Sequence, residues 1–179
     1  ACASLVLYAM FSDAIIEFER AHGLLRGGPG SELSGMVFGE YFPNPALFGT
    51  AEDAWRVVTL RTAFIAEVVG TAMLALLVFS LTSDRNPSRP PTAAAAVLIG
   101  IGVAAIISVV APLTQAALNP ARDFGPRLVS YFLGWGEIAI PGPRGGWLLV
   151  YIVAPITGAI IGGAIYSVIK LVLPKNNES

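Results

Sequence analysis

Asn119-Pro120-Ala121-Arg122-Asp123-Phe124-Gly125-Pro126-Arg127 places charged residues and prolines between hydrophobic segments long enough to cross a bilayer. Asn119 is a favoured N-cap residue and Pro120 suits the first helical position, so a short helix starts here. A helix that begins partway across a membrane turns free N–H groups and a partial positive charge toward whatever it lines. Irregular backbone at that depth is tolerated only when buried in protein or facing a water-filled cavity. The stretch therefore reads as part of a pore.

The segments around it set the class. Hydrophobic residues make up 55% of the 179 positions and charged residues only 13%, with a mean hydropathy of +0.69. That composition fits an all-α membrane protein and not a soluble domain. Val57–Leu81, Thr92–Val110 and Trp147–Leu173 each have about the length that spans a ~30 Å hydrocarbon core. Ala1–Ile16 is a fourth apolar run without a basic leader, and it reads as a membrane helix entered midway. Pro112–Trp135 is too polar for a full span and too apolar for an ordinary loop. It is expected to re-enter the membrane, with a half-helix over roughly Pro120–Leu133.

The net charge of −1 leaves no footprint for nucleic acid. With one cysteine, Cys2, and one histidine, His22, neither a disulfide nor a metal site is expected, and no cofactor. An enzyme built on Glu67 and Asp123 is the alternative from another class, and the spans offer it no nucleophile–base pair. Arg85, Arg89, Lys170 and Lys175 lie in the short connector 83–91 and the C-terminal tail. The long connector 17–54 mixes arginines with acids. The bias favours a cytoplasmic C-terminus and an extracellular long connector in a multi-pass plasma (inner) membrane protein. Gly158 and Gly162 form a small-residue face for close helix packing. Trp55, Trp135 and Trp147 fit interfacial belts.

Asn119–Arg127 followed by Gly134-Trp135-Gly136 resembles the second signature loop of the major intrinsic protein (aquaporin) family. Aspartate directly after the arginine resembles the glycerol-facilitator, or aquaglyceroporin, branch. The likeness runs over essentially the whole chain. It implies one transmembrane channel domain over 1–179, an aquaporin-like right-handed bundle fragment. The expected parts are a truncated third helix, three full spanning helices and the re-entrant loop and half-helix at 111–134. The family's first helices and first signature loop are absent from it. Asn44-Pro45-Ala46 repeats the tripeptide but is followed by Leu47-Phe48-Gly49-Thr50-Ala51-Glu52-Asp53, with no apolar half-helix, and is expected in the outer connector.

The resemblance implies a passive channel for glycerol and related polyols. A water, urea or metalloid channel and a non-conducting partner subunit are its alternatives, and a homotetramer is the implied assembly. Asn119 would donate through its side-chain amide to a passing oxygen. Arg122, one turn along, would act as a hydroxyl anchor and a cation barrier. Gln115, Ala116 and Ala117 would present backbone carbonyls as acceptors beside them. Ile107 stands where water-specific relatives have histidine, and Ala116 where glycerol facilitators often carry an aromatic. Tyr151-Ile152 departs from a proline-containing pair. Glu67, alone in the middle of a span, would brace the pore loop through its backbone N–H groups, with Pro120, Ala121 and Asp123 as further supports. Asp123 and Arg127 would pair at the outer mouth.

Overall fold

The computed structural model describes residues 1–172, which are helical with no strand among them. In chain order the α-helices are α1 (Cys2–Ala21), the one-turn helices α2 (Glu32–Gly35), α3 (Pro45–Phe48) and α4 (Ala54–Val57), then α5 (Leu60–Thr82), α6 (Thr92–Thr114), α7 (Pro120–Ser130) and α8 (Ala154–Val172). Wide π-type turns extend α7 through Tyr131–Trp135 and precede α8 at Leu149–Val153. The second ends two residues before Pro155. A proline there has no N–H for the carbonyl four residues back and its ring crowds that carbonyl, so the turn widens.

The helices long and apolar enough to cross a membrane cover Leu60–Thr82, Thr92–Thr114 and Leu149–Leu171. Each has an outer surface that is apolar and largely exposed. α5 starts at Thr59, whose hydroxyl caps it by accepting from the Thr62 N–H at 3.1 Å. α5 and α8 pack backbone to backbone. A Cβ on Gly158 would lie 2.4 Å from the Val68 carbonyl oxygen, and one on Gly162 would lie 2.3 Å from that of Ala72. Only hydrogen side chains allow this approach, so the glycines serve packing. α6 joins from the other side of α5, where Gly70 makes room for Val110 and Leu118.

Three sequence expectations change here. α1 runs on to Ala21, past the apolar stretch that ended at Ile16, because its polar last turn is held. Glu17 pairs with Arg20 at 3.0 Å, and Glu19 pairs with Arg26 at 2.8 Å. The connector 17–54 is not a plain loop but carries α2 and α3 and buries Phe38, Tyr41 and Phe42. Trp135 is no belt residue. It is fully buried, packs edge-on against Tyr8, lies 4.3 Å beneath the Arg26 guanidinium and donates its indole N–H to Ser34 Oγ at 3.0 Å. Gly134, at φ 107°, makes the reversal that tucks it in, a conformation an L side chain resists. Trp55 and Trp147 are half-buried. Leu173 and Lys175 lie outside the described residues.

Candidate pore site

Pro112 lies within the last turn of α6, and that helix ends at Gln115 in the left-handed conformation. Gln115, Ala116 and Leu118 have φ of 63°, 58° and 55°. Such conformations cost a non-glycine residue energy, so something outside the loop must hold them. That support comes from Glu67, fully buried in α5. One carboxylate oxygen accepts from Thr114 Oγ1 at 2.6 Å and from the Ala117 N–H at 3.0 Å, and the other accepts from the Leu118 N–H at 2.8 Å. With its N–H groups drawn toward Glu67, the loop keeps its carbonyls free. Among the described residues no donor reaches those of Gln115, Ala116 or Ala117. Tyr151, buried at the start of the last span, adds a hydroxyl 3.2 Å from the Thr114 carbonyl.

Asn119 caps α7 by accepting the Ala121 N–H at 2.9 Å. Its amide NH₂ meets no acceptor among the described residues, and the residue is exposed. Asn44 makes the matching cap on α3, accepting the Ala46 N–H at 3.0 Å. Its NH₂ is occupied, however, donating to the Ala111 carbonyl at 2.9 Å. Two Asn-Pro-Ala sequences thus share a backbone device and differ in the one group a permeant could use.

Arg122 follows Asn119 by one turn, with half its side chain exposed. It pairs with the carboxylate of Glu40, which is almost wholly buried. Glu40 is one of the acids of the connector 17–54, and nothing local to it in the sequence signals a pore role. Asp123 faces the other way. It forms a fully buried pair with Arg127, with contacts of 2.8 Å to Nε and to Nη2. The expectation of a pair at the outer mouth is corrected in depth, since neither side chain reaches solvent. Burial is tolerated because every side-chain nitrogen and oxygen of the pair has a hydrogen-bond partner. Arg127 also donates to the Ala139 carbonyl at 2.8 Å and to the Glu40 carbonyl, and Asp123 accepts the Glu40 N–H at 2.7 Å. The rings of Tyr41 and Tyr151 lie 5.1 and 5.3 Å from the guanidinium carbon.

The remaining residues singled out from sequence fall as follows. The Gln115 side chain accepts from the Tyr41 N–H at 2.7 Å, tying connector to loop. Ala116 and Ala117 are 2% exposed, and the Ala116 methyl packs with Ile106, Val110 and Leu118. Ile107 is 38% exposed on the open side of α6. Pro120 and Ala121 occupy the first turn of α7. Carbonyls without a donor at Gln115–Ala117, the unengaged amide of Asn119 and the half-exposed guanidinium of Arg122 thus follow one another along the chain.

Residues 29–166 match the family model described as major intrinsic protein. The chain is 42% identical over 169 residues to a glycerol uptake facilitator protein of Pseudomonas aeruginosa, covering 94% of this chain and 56% of that protein. It is 40% identical over 164 residues to the propanediol uptake facilitator PduF of Salmonella typhimurium, covering 91% and 57%. Among solved structures, the aquaglyceroporin from Plasmodium falciparum superposes with a TM-score of 0.70 over 94% of this chain and 59% of that one. Its 15% identity makes that a likeness of fold. The chain spans little more than half the length of the relatives it matches.

Proposed function

The chain belongs to the major intrinsic protein family, and from that premise we propose that it supplies the selectivity half of a passive channel for glycerol and related polyols. The observation that carries the reading is the pairing of free donors with free acceptors. Asn119 offers an unengaged NH₂, Arg122 a half-open guanidinium, and Gln115–Ala117 carbonyls without protein partners. A polyol has hydroxyls that donate and accept along one edge and carbons along the other. It can exchange its water for such a track without a large desolvation cost. The names of the relatives, glycerol and propanediol facilitators, are consistent with that class of permeant.

Transport on this reading is movement down a gradient without covalent chemistry. The N-terminal end of the α7 dipole sets positive potential where the track passes Asn119 and so opposes cations. Glu67 holds the acceptor carbonyls in place from behind the track. The basic residues Arg85, Arg89 and Lys170 favour a cytoplasmic C-terminus, and family likeness favours a homotetramer with one pore per subunit.

Proteoliposomes carrying the protein test this by light scattering after a glycerol or a sucrose step. Glycerol entry well above the lipid background supports the reading. Fast water flux with glycerol at background makes it a water channel instead, and background rates for both leave a non-conducting subunit.

A further inference from the structure

Away from the pore loop, the far ends of α5 and α8 enclose a groove of about 430 Å³ that includes Phe79, Ser83, Arg85, Tyr166 and Lys170. We propose that this groove binds the phosphate of an anionic phospholipid. Its cations are uncommitted: among the described residues neither Arg85 nor Lys170 pairs with a carboxylate. Asp84 also borders the groove, but its charge is compensated by Arg89. The hydroxyl of Tyr166 is buried without a hydrogen-bond partner, in a residue only 7% exposed. A phenol left unpaired in an apolar setting is costly, and a small movement of the ring toward the groove would let a phosphate oxygen accept its hydrogen bond. Ser83 Oγ accepts the Arg85 N–H at 3.3 Å, which leaves its own O–H to donate. Two cations and the Ser83 hydroxyl around one cavity, with the Tyr166 hydroxyl behind its wall, suit a tetrahedral anion.

The position selects a lipid over a free anion. The groove lies where the two spans end, the depth at which headgroups sit. Its surroundings are apolar and open: Phe79 is 44% exposed, Val168 62% and Leu171 82%. Acyl chains can lie along that surface, whereas inorganic phosphate has no use for it.

Native mass spectrometry of the detergent-purified protein, with phosphatidylglycerol and phosphatidylcholine of matched chains, tests the site. Phosphatidylglycerol is expected to stay bound where phosphatidylcholine is lost. Arg85→Ala with Lys170→Ala should weaken its retention about thirtyfold, taking each juxtamembrane cation at its usual worth. Tyr166→Phe should give a smaller loss, and Arg85→Lys should retain most of the binding. Should the double variant not fold, Tyr166→Phe and Arg85→Gln report on the same groove singly. Equal retention of the two lipids, or variants that hold phosphatidylglycerol like the parent, overturns the proposal. So does displacement by inorganic phosphate as effective as by the lipid, because the apolar surface would then contribute nothing.

Discussion

Glu40 meets Arg122 through its carboxylate while the buried Asp123–Arg127 pair holds Glu40's own N–H and carbonyl. Two consecutive residues of α7 therefore act on one connector residue from opposite sides, Arg122 on its side chain and Asp123 on its backbone. The charge of Arg122 is compensated and its guanidinium has one edge fixed.

Glu40→Gln would leave the backbone clamp intact and free the guanidinium. A permeant hydroxyl would then be held more tightly at a site that must also release it. Glycerol flux is expected to fall by roughly twofold to tenfold, the range of one charge-assisted hydrogen bond partly lost, with little change in melting temperature. Stopped-flow flux and thermal unfolding in detergent check the two halves separately.

Arg122→Val would leave Glu40 as an uncompensated carboxylate beside the track. Proton or cation leak should rise in pH-loaded vesicles, and adding Glu40→Gln to the same protein should bring part of it back down. Leak that stays at the parent level in the single variant removes the barrier role from Arg122.

Glu67→Gln keeps one acceptor oxygen where the carboxylate used two and turns an NH₂ toward donors of the same kind. The left-handed residues beyond it lose their brace. A stability loss of roughly 2–4 kcal/mol is expected from the unpaired buried N–H and the weakened charge-assisted bonds. Folded yield should drop more than the glycerol-to-water selectivity of the fraction that survives; the reverse pattern would assign Glu67 to proton relay.

Arg127→Met removes one partner of a pair that has no access to water, and leaves the Asp123 charge and two carbonyls without it. Breaking such a pair costs about 3–5 kcal/mol. Retention of the parent melting temperature by Arg127→Met would show that the clamp does not hold the outer surface together.

Glu32 lies in the connector, almost wholly buried, and one of its oxygens lacks a hydrogen-bond partner. Burial pushes its carboxyl above the ordinary glutamate range, against backbone hydrogen bonds that pull the other way. In the window between the ordinary value and the raised one, the folded protein binds more protons than the unfolded chain. Its stability contribution is therefore full below the ordinary value and is lost as pH rises through the raised one. Glu32→Gln should flatten that dependence and leave the protein more stable at neutral pH, read from melting temperatures across pH 4 to 8.

What the sequence discloses is what depends on near neighbours. Long and mostly apolar stretches announce α5 and α6 without knowledge of their partners, and Asn119-Pro120 announces the start of α7 because capping is settled within three residues. The separation of the two Asn-Pro-Ala tripeptides is also legible, from the acids and the glycine after Asn44. That the Asn44 amide is tied to Ala111 is not, since it depends on where α6 ends. Glu40 was hidden for the same reason: a glutamate in a polar connector looks solvated until the connector folds back over α7. Trp135 misled because a tryptophan near the end of an apolar segment usually marks an interface, and only the reversal at Gly134 puts it inside.

The grip of the connector on the pore loop has a consequence in time. Tyr41 binds a residue 74 positions later, Asn44 one 67 positions later, and Glu40 is held from 83 and 87 positions downstream. Residues 40–44 of the connector are therefore synthesised well before these partners, and two spans follow them before α7 is made. Contacts of such long reach form late. The outer wall of the track closes only after the helix that carries Arg122 and Arg127 has arrived, so a chain halted anywhere before α7 would have membrane helices in place and no mouth.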